Sequence, residues 1–165
     1  MERAVAFALA MFLLGAALPA RADSGDFALG PLIGIGRGGD SDEGFAELRL
    51  ELRADYGLFQ YMSVRASGGV GLGVADDGIP EIGNGFARGL TSAGVVFAYD
   101  VWTIVPELFL YGGGGFGSIN GWRVGGLAAL RMYFSRTTSV TLSGGWERDW
   151  ALDLGTWLLG LGVWL

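Results

Sequence analysis

Ten consecutive residues, Glu47-Leu48-Arg49-Leu50-Glu51-Leu52-Arg53-Ala54-Asp55-Tyr56, constrain the fold of this chain more than any other stretch. Apolar residues occupy every second position and a charge stands at each position between. On a helix the three leucines would scatter around the circumference. On a strand, successive side chains point to opposite faces and all three share one. The segment reads as a strand with one apolar and one fully charged face.

Seven further runs show the same period of two: residues 27–36, 62–74, 91–99, 102–110, 122–134, 139–146 and 157–165. One face of each is apolar and often bulky, as with Ile33 and Ile35, Val95 and Phe97, or Leu159 and Leu161. The other holds Gly, Ser and Thr with Arg65, Arg88, Glu107, Arg123, Arg131 and Glu147. A soluble barrel, the alternative reading, would turn its apolar face inward and cover its exterior with charge. Composition opposes that: 31 of 165 residues are Gly and only 17% are charged, against about 7% and about 25% in ordinary domains. A glycine-rich polar face suits a crowded lumen better than a solvated surface. Eight strands with apolar residues outside and polar residues inside predict an antiparallel, up-and-down transmembrane β-barrel.

Spacing between the runs predicts short turns at 57–60, 100–101 and 135–138, alternating with longer loops at 38–44, 75–85, 112–121 and 147–152. Short periplasmic turns and longer outer loops are the habit of such barrels. Aromatic residues fall at two levels. Tyr56, Tyr99, Trp102 and Phe134 lie near the short turns, and Phe45, Phe86, Trp122, Trp146 and Trp157 near the long loops. Two interfacial belts follow, because amphipathic rings favour the headgroup region. Asp40, Asp42, Glu43, Asp76, Asp77, Glu81 and Asp149 fall in the outer loops as solvated acids, with shared divalent cations as the alternative.

The inward set predicted for the lumen is Arg49, Arg53, Arg65, Arg88, Arg123 and Arg131 against Glu47, Glu51, Asp55, Glu107 and Glu147. Near-balance is what buried charges require if each is to find a partner. Folding about the short turn sets Glu51 level with Arg65, and folding about the 112–121 loop brings Glu107 close to Arg131. Eight strands enclose just enough room for side chains. The expectation is a closed, ion-paired core.

Residues 1–22 read as a cleaved signal peptide ahead of a barrel at 23–165. A 15-residue apolar stretch follows Arg3, and Pro19-Ala20-Arg21-Ala22 supplies a small-residue cleavage site. Removing them leaves nine Arg against sixteen Asp and Glu, net −7, which disfavours nucleic acid as a partner. No Cys, His or Lys occurs in the chain. That removes thiolate metal sites, the Ser-His-Asp triad and Schiff-base chemistry. No catalytic, metal or cofactor site is assigned.

Three motifs resolve to glycine geometry or loop chemistry. Gly34-Ile35-Gly36-Arg37-Gly38-Gly39 matches a dinucleotide fingerprint with Asp55 downstream, but the next element has period two where a helix is required. Asp40-Ser41-Asp42-Glu43-Gly44 approximates a calcium loop with Gly one position early. Gly112 to Gly115 lacks the Lys or helix start of a phosphate cradle.

Several stretches resemble the family of small eight-stranded outer-membrane barrels that includes the membrane domain of outer-membrane protein A and outer-membrane protein X. They are Val105-Pro106 leading into Leu110-Tyr111-Gly112-Gly113-Gly114-Gly115, the run Leu130-Arg131-Met132-Tyr133-Phe134-Ser135, and the ending Gly160-Leu161-Gly162-Val163-Trp164-Leu165. The ending is similar to the family's C-terminal assembly signal, though it closes on Leu165 where Phe is usual. The resemblance implies the outer membrane of a Gram-negative bacterium, insertion by the barrel assembly machinery, contact with outer-membrane lipid and lipopolysaccharide, and a monomer. It also implies a non-catalytic role in envelope integrity or loop presentation, since the lipid-modifying barrel enzymes lean on a His. A His-free lipid-modifying enzyme and a small channel are the alternatives.

Overall fold

The computed structural model describes residues 25–39, 44–75, 85–99, 103–135 and 138–165. The signal-peptide reading of 1–22, Trp102, and the acids Asp40, Asp42, Glu43, Asp76, Asp77 and Glu81 lie outside the described residues. Eight strands run β1 Phe27–Gly39, β2 Gly44–Phe59, β3 Met62–Ala75, β4 Phe86–Ala98, β5 Ile104–Gly117, β6 Gly121–Tyr133, β7 Ser139–Asp149 and β8 Leu154–Trp164. Each pairs antiparallel with its sequence neighbours, and β1 pairs with β8, so the sheet closes into a barrel without edges.

Register sets the tilt. From Phe27 the directly paired residues are Tyr56, Val64, Val95, Leu110, Gly126, Trp146 and Trp157, and the circuit returns to β1 at Arg37, ten residues further on. A stagger of this size inclines the strands by about 40° to the barrel axis. Every residue on that line is on the outward face. It begins among aromatics at the end carrying the 60–61 turn, crosses apolar mid-barrel positions, and finishes at Trp157 and Arg37 beside the opposite loops.

Inside-out burial holds along all eight strands. Ile33, Ile35, Leu108, Leu110, Leu142, Leu159 and Leu161 are exposed, while Arg49, Arg53, Arg65, Arg88, Glu107, Arg123, Arg131 and Glu147 are buried. The alternation in the sequence therefore matches the pleat of the structure strand by strand.

The strands run further than the sequence spacing suggested, and this corrects the loop pattern. Gly112 to Gly115 belong to β5, and the loop to β6 shrinks to 118–120. β7 continues through Asp149, leaving 150–153 as its loop. Connections at that end are 40–43, 76–85, 118–120 and 150–153, against 60–61, 99–103 and 134–138 at the other, so strict alternation of short and long is not observed. Paired backbone extends glycine-rich strand ends because every N–H and C=O it captures would otherwise need another partner.

Candidate functional site: a sealed, ion-paired lumen

The lumen is filled in layers. Nearest the chain termini, Trp164 and Ala28 form a small buried cluster. Trp164 lies 4.8 Å from the Arg65 guanidinium carbon and 4.4 Å from that of Arg131, and its indole N–H donates to Thr141 Oγ1 at 2.9 Å. Above it, two guanidiniums and two carboxylates close a four-membered ring. Arg65 donates through Nε and Nη2 to the two oxygens of Asp55 at 2.6 and 2.7 Å, and Nη2 also reaches Glu107 at 3.0 Å. Arg131 completes it, with Nη2 3.1 Å from Asp55 and Nε 2.7 Å from Glu107. The planar fork of Arg lets one side chain hold two acids at once.

Next comes an apolar layer of Val96, Phe109, Tyr111, Leu127 and Leu158. Phe109 and Tyr111 stack at 5.0 Å, and Arg65 lies over Phe109. Arg53 is held at this level by Glu51 at 3.4 Å. A cavity of about 20 Å³ lined in part by Arg49, Arg53, Tyr111 and Leu158 remains here, about the room one water needs.

The second ionic layer joins six charged side chains and the Tyr111 hydroxyl. Glu47 accepts from Arg49 at 2.7 Å and from Arg88 at 2.6 and 2.9 Å. Glu147 accepts from Arg49 at 2.5 Å, Arg123 at 3.2 Å and the Tyr111 hydroxyl at 2.8 Å. Arg88 also donates to Asp149, and Arg123 reaches the Thr91 carbonyl at 3.1 Å. Gly125 makes the layer possible, since a Cβ there would lie 2.7 Å from the Tyr111 hydroxyl and 2.8 Å from Glu147 Cβ. Phe45, Phe86 and Ile119 cap the layer at the loop end, with Leu152 and Leu154 packed against them.

Four sequence expectations are corrected here. Glu51 faces Gly69, and Arg65 is level with Asp55. The turn sits at 60–61, beyond a bulge between Gly57 and Phe59, which moves the register by four residues. Phe45 and Phe86 point into the barrel rather than joining an outer belt. Asp149 is a buried lumen residue and no part of an outer loop. Its inclusion brings the inward charges to six Arg and six acids: Glu47, Glu51, Asp55, Glu107, Glu147 and Asp149. Trp164 as a lumen plug was also missed. Parity along each strand was the available signal: Phe45 and Asp149 share theirs with Glu47 and Glu147, and Trp164 with Leu158.

Of the aromatics assigned to belts, Tyr56, Tyr99, Phe134, Trp122, Trp146 and Trp157 lie on the exterior. Phe59, Tyr61, Phe116 and Trp150 join them, Tyr61 stacking on Tyr99 at 6.0 Å.

Every lumen guanidinium contacts an acid, and among the described residues apolar side chains lie toward both ends of the lumen. Purified barrel in a planar bilayer is expected to give no large, steady conductance. A stable open channel would mean that the ionic layers part in the membrane.

These features define a class of fold, the closed eight-stranded barrel with an apolar exterior and a charged interior. No protein-family model matches the sequence, and no curated protein matches it. Among solved structures, this chain is similar to Ail, the attachment invasion locus protein of Yersinia pestis, at TM-score 0.57 and 17% identity over 86% of this chain and 99% of that one. A second structure of Ail, in complex with the heparin analogue sucrose octasulfate, aligns at TM-score 0.55 and 15% identity over the same shares. At these identities the likeness is one of fold.

Proposed function

We propose that the protein is a non-catalytic barrel of a Gram-negative outer membrane, exported through a signal peptide at 1–22, which supports envelope integrity or presents its loops to lipopolysaccharide or a partner. One observation carries this reading: the surface is apolar where a soluble barrel is charged, and the charges are sealed inside. Exposed Leu, Ile and Val around the whole circumference would drive aggregation in water, but they match hydrocarbon. Strands of 11 to 16 residues exceed the roughly 9–11 that a tilted strand needs to cross a bilayer.

The lumen favours a scaffold over an enzyme. Its acids and its Tyr111 hydroxyl are committed to neighbouring side chains, with apolar residues packed toward both ends of the described lumen. Insertion would run through the C-terminal strand and the barrel assembly machinery. The acids at 40, 42, 43, 76, 77 and 81 would meet the anionic groups of lipopolysaccharide through shared divalent cations.

The test is cell fractionation with gel migration before and after boiling. The protein is expected in the outer-membrane fraction, with a compact band that shifts on boiling. A soluble product with identical migration in both lanes would overturn the proposal.

A further inference from the structure

Five of the six lumen guanidiniums hold a carboxylate oxygen at 3.2 Å or closer. Arg53 is the exception. Its contact runs from Nε to Glu51 at 3.4 Å, and its two Nη atoms make no hydrogen bond among the described residues. Register explains the deficit. The residues directly paired with Arg53 are Gly30 on β1 and Ser67 on β3, neither of them an acid, whereas Arg65 is directly paired with Asp55.

Arg53 is nonetheless buried, with 4% of its surface exposed. A guanidinium carries five N–H donors, and donors left bare in a protein interior are costly. The cavity of about 20 Å³ between the two ionic layers offers room for a partner. Its polar wall includes Arg53, Glu51, Ser92 and Ser143, with Arg49 and Arg123 from the second layer. The hydroxyls are already engaged, Ser92 with Ser67 at 2.8 Å and Ser143 with the Gly160 carbonyl at 3.3 Å. Among the charged groups of the wall, Arg53 and Glu51 have the loosest direct contact.

We propose that this cavity binds one water molecule, which accepts from Arg53 Nη and donates to Glu51, so that solvent bridges the pair. The volume suits a single water, and two polar partners are enough to hold one. Leu32, Phe109, Leu127 and Leu158 make the rest of the wall apolar. A small anion is the competing ligand for a wall rich in donors. Six Arg already face six acids in the lumen, so an anion would leave the interior with a net charge, and water leaves none. Lumen contacts alone set this site, whatever surrounds the barrel.

The test is NMR of the full barrel, isotope-labelled at Arg, in detergent micelles. Rotating-frame cross-relaxation from water to the Arg53 Nη protons is expected, with the sign of a dipolar contact and not of proton exchange. The Arg53 signals are assigned by their loss in Arg53→Gln. Ser143→Leu, which fills the cavity from its wall, should abolish the water contact, and Ser143→Val should weaken it. Replacing chloride by sulfate at constant ionic strength should leave the Arg53 signals unmoved. Absence of a water contact in the unmodified barrel, or a contact undiminished by both Ser143 variants, would overturn the proposal. Arg53 signals that move with chloride concentration would overturn water as the ligand in favour of an anion. Boiling-dependent gel migration reports barrel formation for each variant, and if Ser143→Leu does not form a barrel, Ser143→Val is the deciding comparison.

Discussion

Glu147→Ala is expected to destabilise the barrel by about 3–5 kcal/mol, the range for breaking a buried ion pair by removing one partner. Glu147 is fully buried. One oxygen accepts from Arg49 at 2.5 Å, the other from Tyr111 at 2.8 Å and Arg123 at 3.2 Å. Truncation leaves two guanidiniums and a hydroxyl short of their shared acceptor, beneath the Phe45–Phe86 cap. Urea unfolding in lipid vesicles, followed by Trp fluorescence, measures the loss. Glu147→Gln keeps an acceptor and should fall between the two. Asp153→Asn is the contrasting control: Asp153 is 86% exposed where it meets Arg148, and its loss should cost about 1 kcal/mol or less. Equal, small effects at both sites would show that water reaches the lumen freely.

Leu110→Arg should cost about 2–4 kcal/mol, the depth-dependent penalty for a cation on the lipid face near the midplane. Leu110 is exposed at the middle of β5. Leu130 is equally exposed but lies three residues from the end of β6, where Arg can reach the headgroups. Leu130→Arg is therefore expected to cost about 1 kcal/mol or less. The same vesicle unfolding assay compares them. Neutral behaviour at Leu110 would mean that this face meets water, and the membrane reading would fall with it.

Much of the fold was legible because a strand reads out its own sidedness. The 47–56 stretch, with leucines and charges in strict alternation, could be placed without any neighbour. The Gly-rich complement in the other strands showed which face had to be inside. Where the reading followed parity, as at Arg65, Arg88 and Glu107, the assigned face agrees with the structure. Where it followed position along the chain instead, it misplaced residues: Phe45, Phe86 and Asp149 lie near loops yet belong to the inward parity class. The glycines at 112–115 looked like a loop because their flexibility is visible locally, while the β4 and β6 backbones that pair with them are not.

The sequence alone determined the eight strands, their inner and outer faces and the near-balance of charge on the inner one, because each of these is a property of alternation within a strand. Which acid meets which Arg was decided only by the closed barrel. A bulge between Gly57 and Phe59 and a turn at 60–61 shift β3 against β2, and that shift alone moves Arg65 from Glu51 to Asp55. Register is a relation between strands, set by turns and by a ten-residue stagger around the whole circuit, and no single strand carries it.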